Sequence, residues 1–138
     1  MKLSPHFFLQ ELVHPDIYHK VGDRCKDFLH PNLIVNCEAI RDIAGATTIN
    51  DWSRGGNFKS SGLRTPDDIG AFLSSHKFGC AADLKFKDIT PLEVQRLILA
   101  EPHKFPYISR MENAVITKTW LHIESCDYRQ GDIIVFNP

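Results

Sequence analysis

The chain has 138 residues and a mass of 15.7 kDa, enough for a single domain over residues 1–138 and too short for two comfortable cores. Hydrophobic residues at 43% and charged residues at 24% exclude a disordered chain. A formal charge of −1 and a pI of about 6.6 leave no electrostatic footprint for nucleic acid or an anionic membrane.

No apolar run reaches the roughly 18–20 residues that a membrane span needs. The opening Met1-Lys2-Leu3-Ser4-Pro5-His6 lacks the apolar stretch of a secretory signal. A soluble monomer made in the cytoplasm, without a signal peptide, is therefore expected. The next residues, through Leu12, form a short segment apolar enough to pack on a core. From Leu33 to Ala44 the residues Leu33, Cys37, Ile40 and Ala44 recur at helical spacing, and Gly45 is placed to cap that helix. Thr47 to Trp52 reads as a strand and runs into a polar, Gly-rich loop over residues 53–62. Ala81 to Phe86 reads as a second strand.

Thr90-Pro91-Leu92-Glu93 announces a helix start: a Thr cap, Pro at the first helical position and Glu three residues after the cap. Val94, Leu97 and Ile98 line one face of that helix, and Pro102 limits it. Ile108 to Ile116 and Trp120 to Ser125 read as antiparallel strands joined around Thr117-Lys118, with Ile133 to Phe136 as a last strand. The order predicts an α+β fold: a small, mostly antiparallel sheet with helices packed on one side.

Cys25, Cys37, Cys80 and Cys126 form no Cys-x-x-Cys pair, so reduced, mostly buried thiols are expected. Of the seven histidines, His6, His14, His19, His30 and His103 neighbour Pro or polar residues and are expected to be mostly exposed. His76 and Asp83 differ. They can meet if the chain turns at Gly79 and returns as a strand, where small side chains let backbones pass closely. His122 supplies a third ligand, with Trp120 and Glu124 on its own strand face. Two His and one carboxylate, with a fourth position left to water, is the pattern of a catalytic zinc site.

His76, Gly79, Ala81 and Asp83, preceded by Ser75, resemble the SxHxxGxAxD signature of the zinc D-Ala-D-Ala peptidases. That group includes L-alanyl-D-glutamate endopeptidases of the endolysin type and, more distantly, the hedgehog signalling domain. Trp120-Leu121-His122 resembles the family's WxH signature, Ser61-Gly62-Leu63-Arg64 its SGYR-type segment, and His6-Phe7 with Glu11-Leu12 its opening. The resemblance runs from about residue 4 to about residue 124.

It implies one Zn²⁺ held by His76, Asp83 and His122. It further implies that Arg64 grips a substrate carboxylate or carbonyl, and that Ser75 stands for the motif's first serine, a donor that orients the site. The implied reaction is metallopeptidase hydrolysis of amide bonds in peptidoglycan stem peptides, by a phage-type or bacterial enzyme that reaches the cell wall through a holin-type route. Such hydrolysis needs a carboxylate to take a proton from water and return it to the leaving amine. Many members carry that acid three residues before the second-motif His, where this chain has Thr119, and a threonine hydroxyl is no base at neutral pH. Glu112 and Glu124 are the alternatives, with Glu112 slightly favoured. The Thr119 departure also keeps open a second reading: a non-catalytic, zinc-containing binding or phage accessory module of the same fold.

Overall fold

The computed structural model describes residues 1–138 as an α+β fold. Four α-helices, α1 (Leu9–Leu12), α2 (Pro15–Val21), α3 (Pro31–Ala44) and α4 (Pro91–Ala100), accompany five strands. The strands are β1 (Thr47–Thr48), β2 (Ala81–Phe86), β3 (Ile108–Glu112), β4 (Leu121–Ser125) and β5 (Ile134–Phe136). They form one sheet in the order β1-β2-β4-β3-β5, antiparallel throughout except for the parallel β3–β5 pair. No helix is long and apolar enough to cross a membrane.

Helices α3 and α4 pack on one face of the sheet. The stripe Leu33, Cys37, Ile40 and Ala44 meets Val94 and Ile98 of α4 and Ala82, Leu84, Met111, Leu121 and Ile123 of the strands in one buried cluster. Burial of this apolar surface is the main term that holds helices to sheet. Thr90 Oγ1 accepts from the Glu93 N–H while the Glu93 carboxylate accepts from the Thr90 N–H, closing the capping box that the sequence announces. Gly45 ends α3 at φ 76°, as expected.

Several boundaries differ from the sequence reading. The strand expected over Thr47–Trp52 is two residues long, because Asp51 and Trp52 turn back to the Phe58 carbonyl and a 3-10 turn follows over Trp52–Arg54. The strand expected to reach Ile116 stops at Glu112. Asn113 then folds the chain: its carbonyl accepts from the Ile116 and Thr117 N–H groups and its Oδ1 from the Val115 N–H. Trp120 stands just outside β4, and Ile133 just outside β5.

Helix α2 is not among the elements expected from the sequence. It begins, like α3, at a His-Pro step, where His14 Nδ1 accepts from the Asp16 N–H and His30 Nδ1 from the Asn32 N–H. His14 is therefore buried rather than exposed, while His6, His19 and His103 are exposed and His30 partly so. All four cysteines are free, but only Cys25 and Cys37 are buried; Cys80 and Cys126 are partly exposed.

The other sheet face stays open and carries polar side chains. Asp83 of β2 lies opposite His122 of β4. Arg110 of β3 lies opposite Glu124 of β4 and, on its other side, opposite Ile134 of β5. A bulge between Ile108 and Arg110 shifts the alternation of β3. Ile108 and Met111 thus enter the core, while Arg110 and Glu112 line a cleft over the open face.

Candidate metal centre

His76 sits in a 3-10 turn, Ser75–Phe78, that ends at Gly79 with φ 69°. The Gly79 N–H returns to the His76 carbonyl and the Cys80 N–H to that of Ser75, so the chain reverses directly into β2 and Asp83. A Cβ at Gly79 would run into the Phe28 carbonyl oxygen in addition to the strained φ. Gly79→Ala is expected to cost at least about 2 kcal/mol and to lower metal affinity with it. Urea titration of the variant beside the wild type measures the first, and a competitive chelator titration the second.

The Ser61–Arg64 segment closes the site from the other side. Gly62 passes so close to the Leu12 carbonyl of α1 that no side chain fits there. The Leu63 N–H donates to that same carbonyl at 2.8 Å and the Asp83 N–H to the Ser61 carbonyl at 2.8 Å. The Gly62 carbonyl faces His76 Nδ1 at 2.9 Å. A carbonyl only accepts, so Nδ1 carries the proton and Nε2 presents a lone pair inward.

Three ligand atoms converge in front of it. His76 Nε2 lies 3.3 Å from Asp83 Oδ1 and 3.2 Å from His122 Nδ1, and His122 Nδ1 lies 2.9 Å from Asp83 Oδ1. His122 Nε2 faces Glu124 Oε1 at 3.3 Å, which directs a proton to that nitrogen and frees Nδ1 for the centre. Both imidazoles are buried and Asp83 nearly so. Three acceptors this close repel one another unless something positive lies among them, so the donor set fits a metal ion.

Without a cation, a proton serves. Burial disfavours charge on His122, but the Asp83 and Glu124 carboxylates outweigh it and raise its pKa to about 9. Burial likewise opposes the Asp83 charge, and the two imidazoles still hold its carboxyl well below the usual carboxylate range.

The triad forms the floor of a cleft of about 760 Å³ whose walls include Ser75, Arg110, Glu112, Trp120 and Phe136. Glu124 is held on both oxygens: Oε1 by His122 and Oε2 by Arg110 Nη1 at 3.4 Å. His122, with Arg110 and Ser75 adding, keeps its carboxyl below the ordinary value. Glu112 is bound differently. Its backbone carbonyl accepts from Gln95 Nε2 at 2.7 Å, while no protein group engages its carboxyl. Thr119 is exposed and is not part of the cleft wall.

Arg64 also lines the cleft, but its guanidinium is directed inward. Nη2 donates to Asp83 Oδ2 at 3.0 Å, Nε to the Ser60 carbonyl at 2.5 Å and Nη1 to the Ile69 carbonyl at 3.3 Å. It thereby orients Asp83. Ser75 adjoins Glu124, as noted, yet the motif's spacing calls for a serine two positions before His76. That residue is Ser74, which also lines the cleft.

Set against models of protein families, curated proteins and solved structures, the chain finds no match in any of the three. Sequence reasoning missed Arg110 and Phe136. Their only advance signal was the position of Arg110 two residues before Glu112, obscured by the bulge.

Proposed function

We propose that the chain is a zinc-dependent peptidase that hydrolyses amide bonds in peptidoglycan stem peptides, in a fold of the hedgehog/D-Ala-D-Ala peptidase kind. The observation that carries this reading is the convergence of His76 Nε2, Asp83 Oδ1 and His122 Nδ1, all within 4.8 Å of one another, on the floor of an open cleft. Two imidazoles and one carboxylate suit zinc, and three protein ligands leave one position for water or substrate. The peptidoglycan substrate comes from the motif resemblance. A bound zinc ion supplies polarisation of the scissile carbonyl and acidification of a water molecule.

The side chains do the rest. Glu112, the one cleft carboxylate with no protein partner, takes the water proton and returns it to the leaving amine. Glu124 and the Gly62 carbonyl fix the tautomers of the two imidazoles, and Arg64 holds Asp83 so that Oδ1 faces the centre.

Metal uptake by the free protein has a predictable pH dependence. Because His122 keeps a proton up to about pH 9, an arriving cation must displace it near neutrality. Affinity therefore rises with pH, by roughly tenfold per unit between about pH 6 and 8 for one proton released. Zinc titrations at several pH values in two buffers of different ionisation enthalpy measure both the slope and the proton.

The function itself is tested by metal analysis and muropeptide digestion. About one zinc per chain and a new amine that a chelator abolishes and zinc restores are the expected results. Zinc at that stoichiometry with no new amine from any muropeptide overturns the enzyme and leaves the binding module.

A further inference from the structure

We propose that Arg110 is the specificity-determining residue of the cleft, and that it binds a carboxylate of the substrate; this rests on the peptidase reading for the identity of the substrate as a peptide. Two guanidinium groups reach the cleft. That of Arg64 has three N–H donors turned to Ser60, Ile69 and Asp83, and its side chain is largely buried.

Arg110 has the opposite character. Its guanidinium carbon lies 4.1 Å from the centroid of the Phe136 ring, and Nη1 lies 3.4 Å from Glu124 Oε2. These are its only protein partners, so its remaining N–H donors have no protein acceptor. A guanidinium stacked on an aromatic face and tethered at one corner keeps its planar fork in a fixed direction, which reduces the entropy lost when a carboxylate docks.

The placement follows from the fold. The bulge in β3 turns Arg110 to the open face, and the parallel pairing of β5 sets Phe136 opposite Glu112, within reach of the arginine. Arg110 and Glu112 are thus two positions apart on one strand and on one wall of the cleft. A peptide whose scissile amide lies beside Glu112 brings a neighbouring carboxylate toward Arg110. With a divalent cation bound, the two arginines and the cation together outweigh the cleft's three side-chain carboxylates, Asp83, Glu112 and Glu124, so an anionic peptide is not repelled by them.

The test is a two-by-two affinity cycle on the zinc-loaded protein. Acetyl-Ala-Ala with a free carboxylate and the same dipeptide as its carboxamide are titrated into wild type and Arg110→Ala by calorimetry. Wild type is expected to prefer the carboxylate by about tenfold, the size of one charge-assisted hydrogen-bonded pair, and R110A to lose that preference. Phe136→Leu, which removes the stacking ring but keeps the charge, is expected to show an intermediate preference. Because each protein is compared with itself on two ligands, a general loss of stability cancels. Equal affinity of the wild type for the two peptides, or an undiminished preference in R110A, overturns the proposal. Failure of the peptidase reading is separate: it appears as wild-type protein that cleaves no muropeptide, while the affinity cycle, which needs no turnover, still decides on Arg110.

Discussion

His76→Ala is expected to reduce bound zinc from about one per chain to less than about a tenth, with the fold retained. Of the three candidate ligands, His76 is the cleanest to remove. Asp83→Ala would strand the Arg64 guanidinium, which is 11% exposed, and loss of one partner from such a pair costs about 3–5 kcal/mol in its own right. His122→Ala would release Glu124 as well, and with it one tether of Arg110. Outside the triad, the only hydrogen bond of the His76 ring is to the Gly62 carbonyl. The measurement is metal content after dialysis against a weak chelator, with near-ultraviolet circular dichroism to show that the tertiary packing persists. Stoichiometric zinc in a folded His76→Ala protein would mean that the ion sits elsewhere and that the convergence of these side chains has another cause.

What could be read in the residue order is what depends on short-range rules. The α3 stripe, the Gly45 stop, the capping box of α4 and all of β2 follow from periodicity and local hydrogen bonding, and they stand where expected. The two His-Pro steps carried a helix-start signal of the same local kind. Histidine is not among the usual capping residues, but its unprotonated Nδ1 accepts a backbone N–H much as an Asn oxygen does.

The rest depends on pairing between distant segments. Strict alternation from Ile108 would put Ile108, Arg110 and Glu112 on one face. The bulge instead sends Ile108 into the core and the other two to the cleft, and nothing local marks it. The β3–β5 pair is parallel and joins neighbours in the sheet that β4 separates along the chain, so Phe136 could not be set beside Arg110 from the sequence. The triad was legible for a different reason. Gly79 makes the reversal from His76 to Asp83 a local event, and His122 is marked by its Trp120-Leu121-His122 context, although its place opposite Asp83 is set by long-range pairing.

Glu112→Gln is expected to lower kcat for muropeptide hydrolysis by about 10²- to 10⁴-fold, the usual contribution of a positioned general base, with zinc content unchanged. The amide keeps the shape of the side chain and its place on β3 but cannot accept the proton. Since no protein group holds the Glu112 carboxyl, the exchange breaks no hydrogen bond or ion pair and stability is expected to change by less than about 0.5 kcal/mol. Glu124→Gln separates the two roles. Its carboxylate braces His122 Nε2 and pairs with Arg110, so its loss acts through the ligand: zinc affinity falls by roughly 10- to 100-fold, as for other partners of metal-bound histidines. With saturating zinc, most of the turnover of Glu124→Gln should return, whereas that of Glu112→Gln should not. The comparison has to be made at two zinc concentrations that bracket the weakened affinity. Turnover that survives in Glu112→Gln and vanishes in zinc-saturated Glu124→Gln would exchange the two assignments, making the carboxylate beside His122 the base and leaving Glu112 as a wall of the cleft.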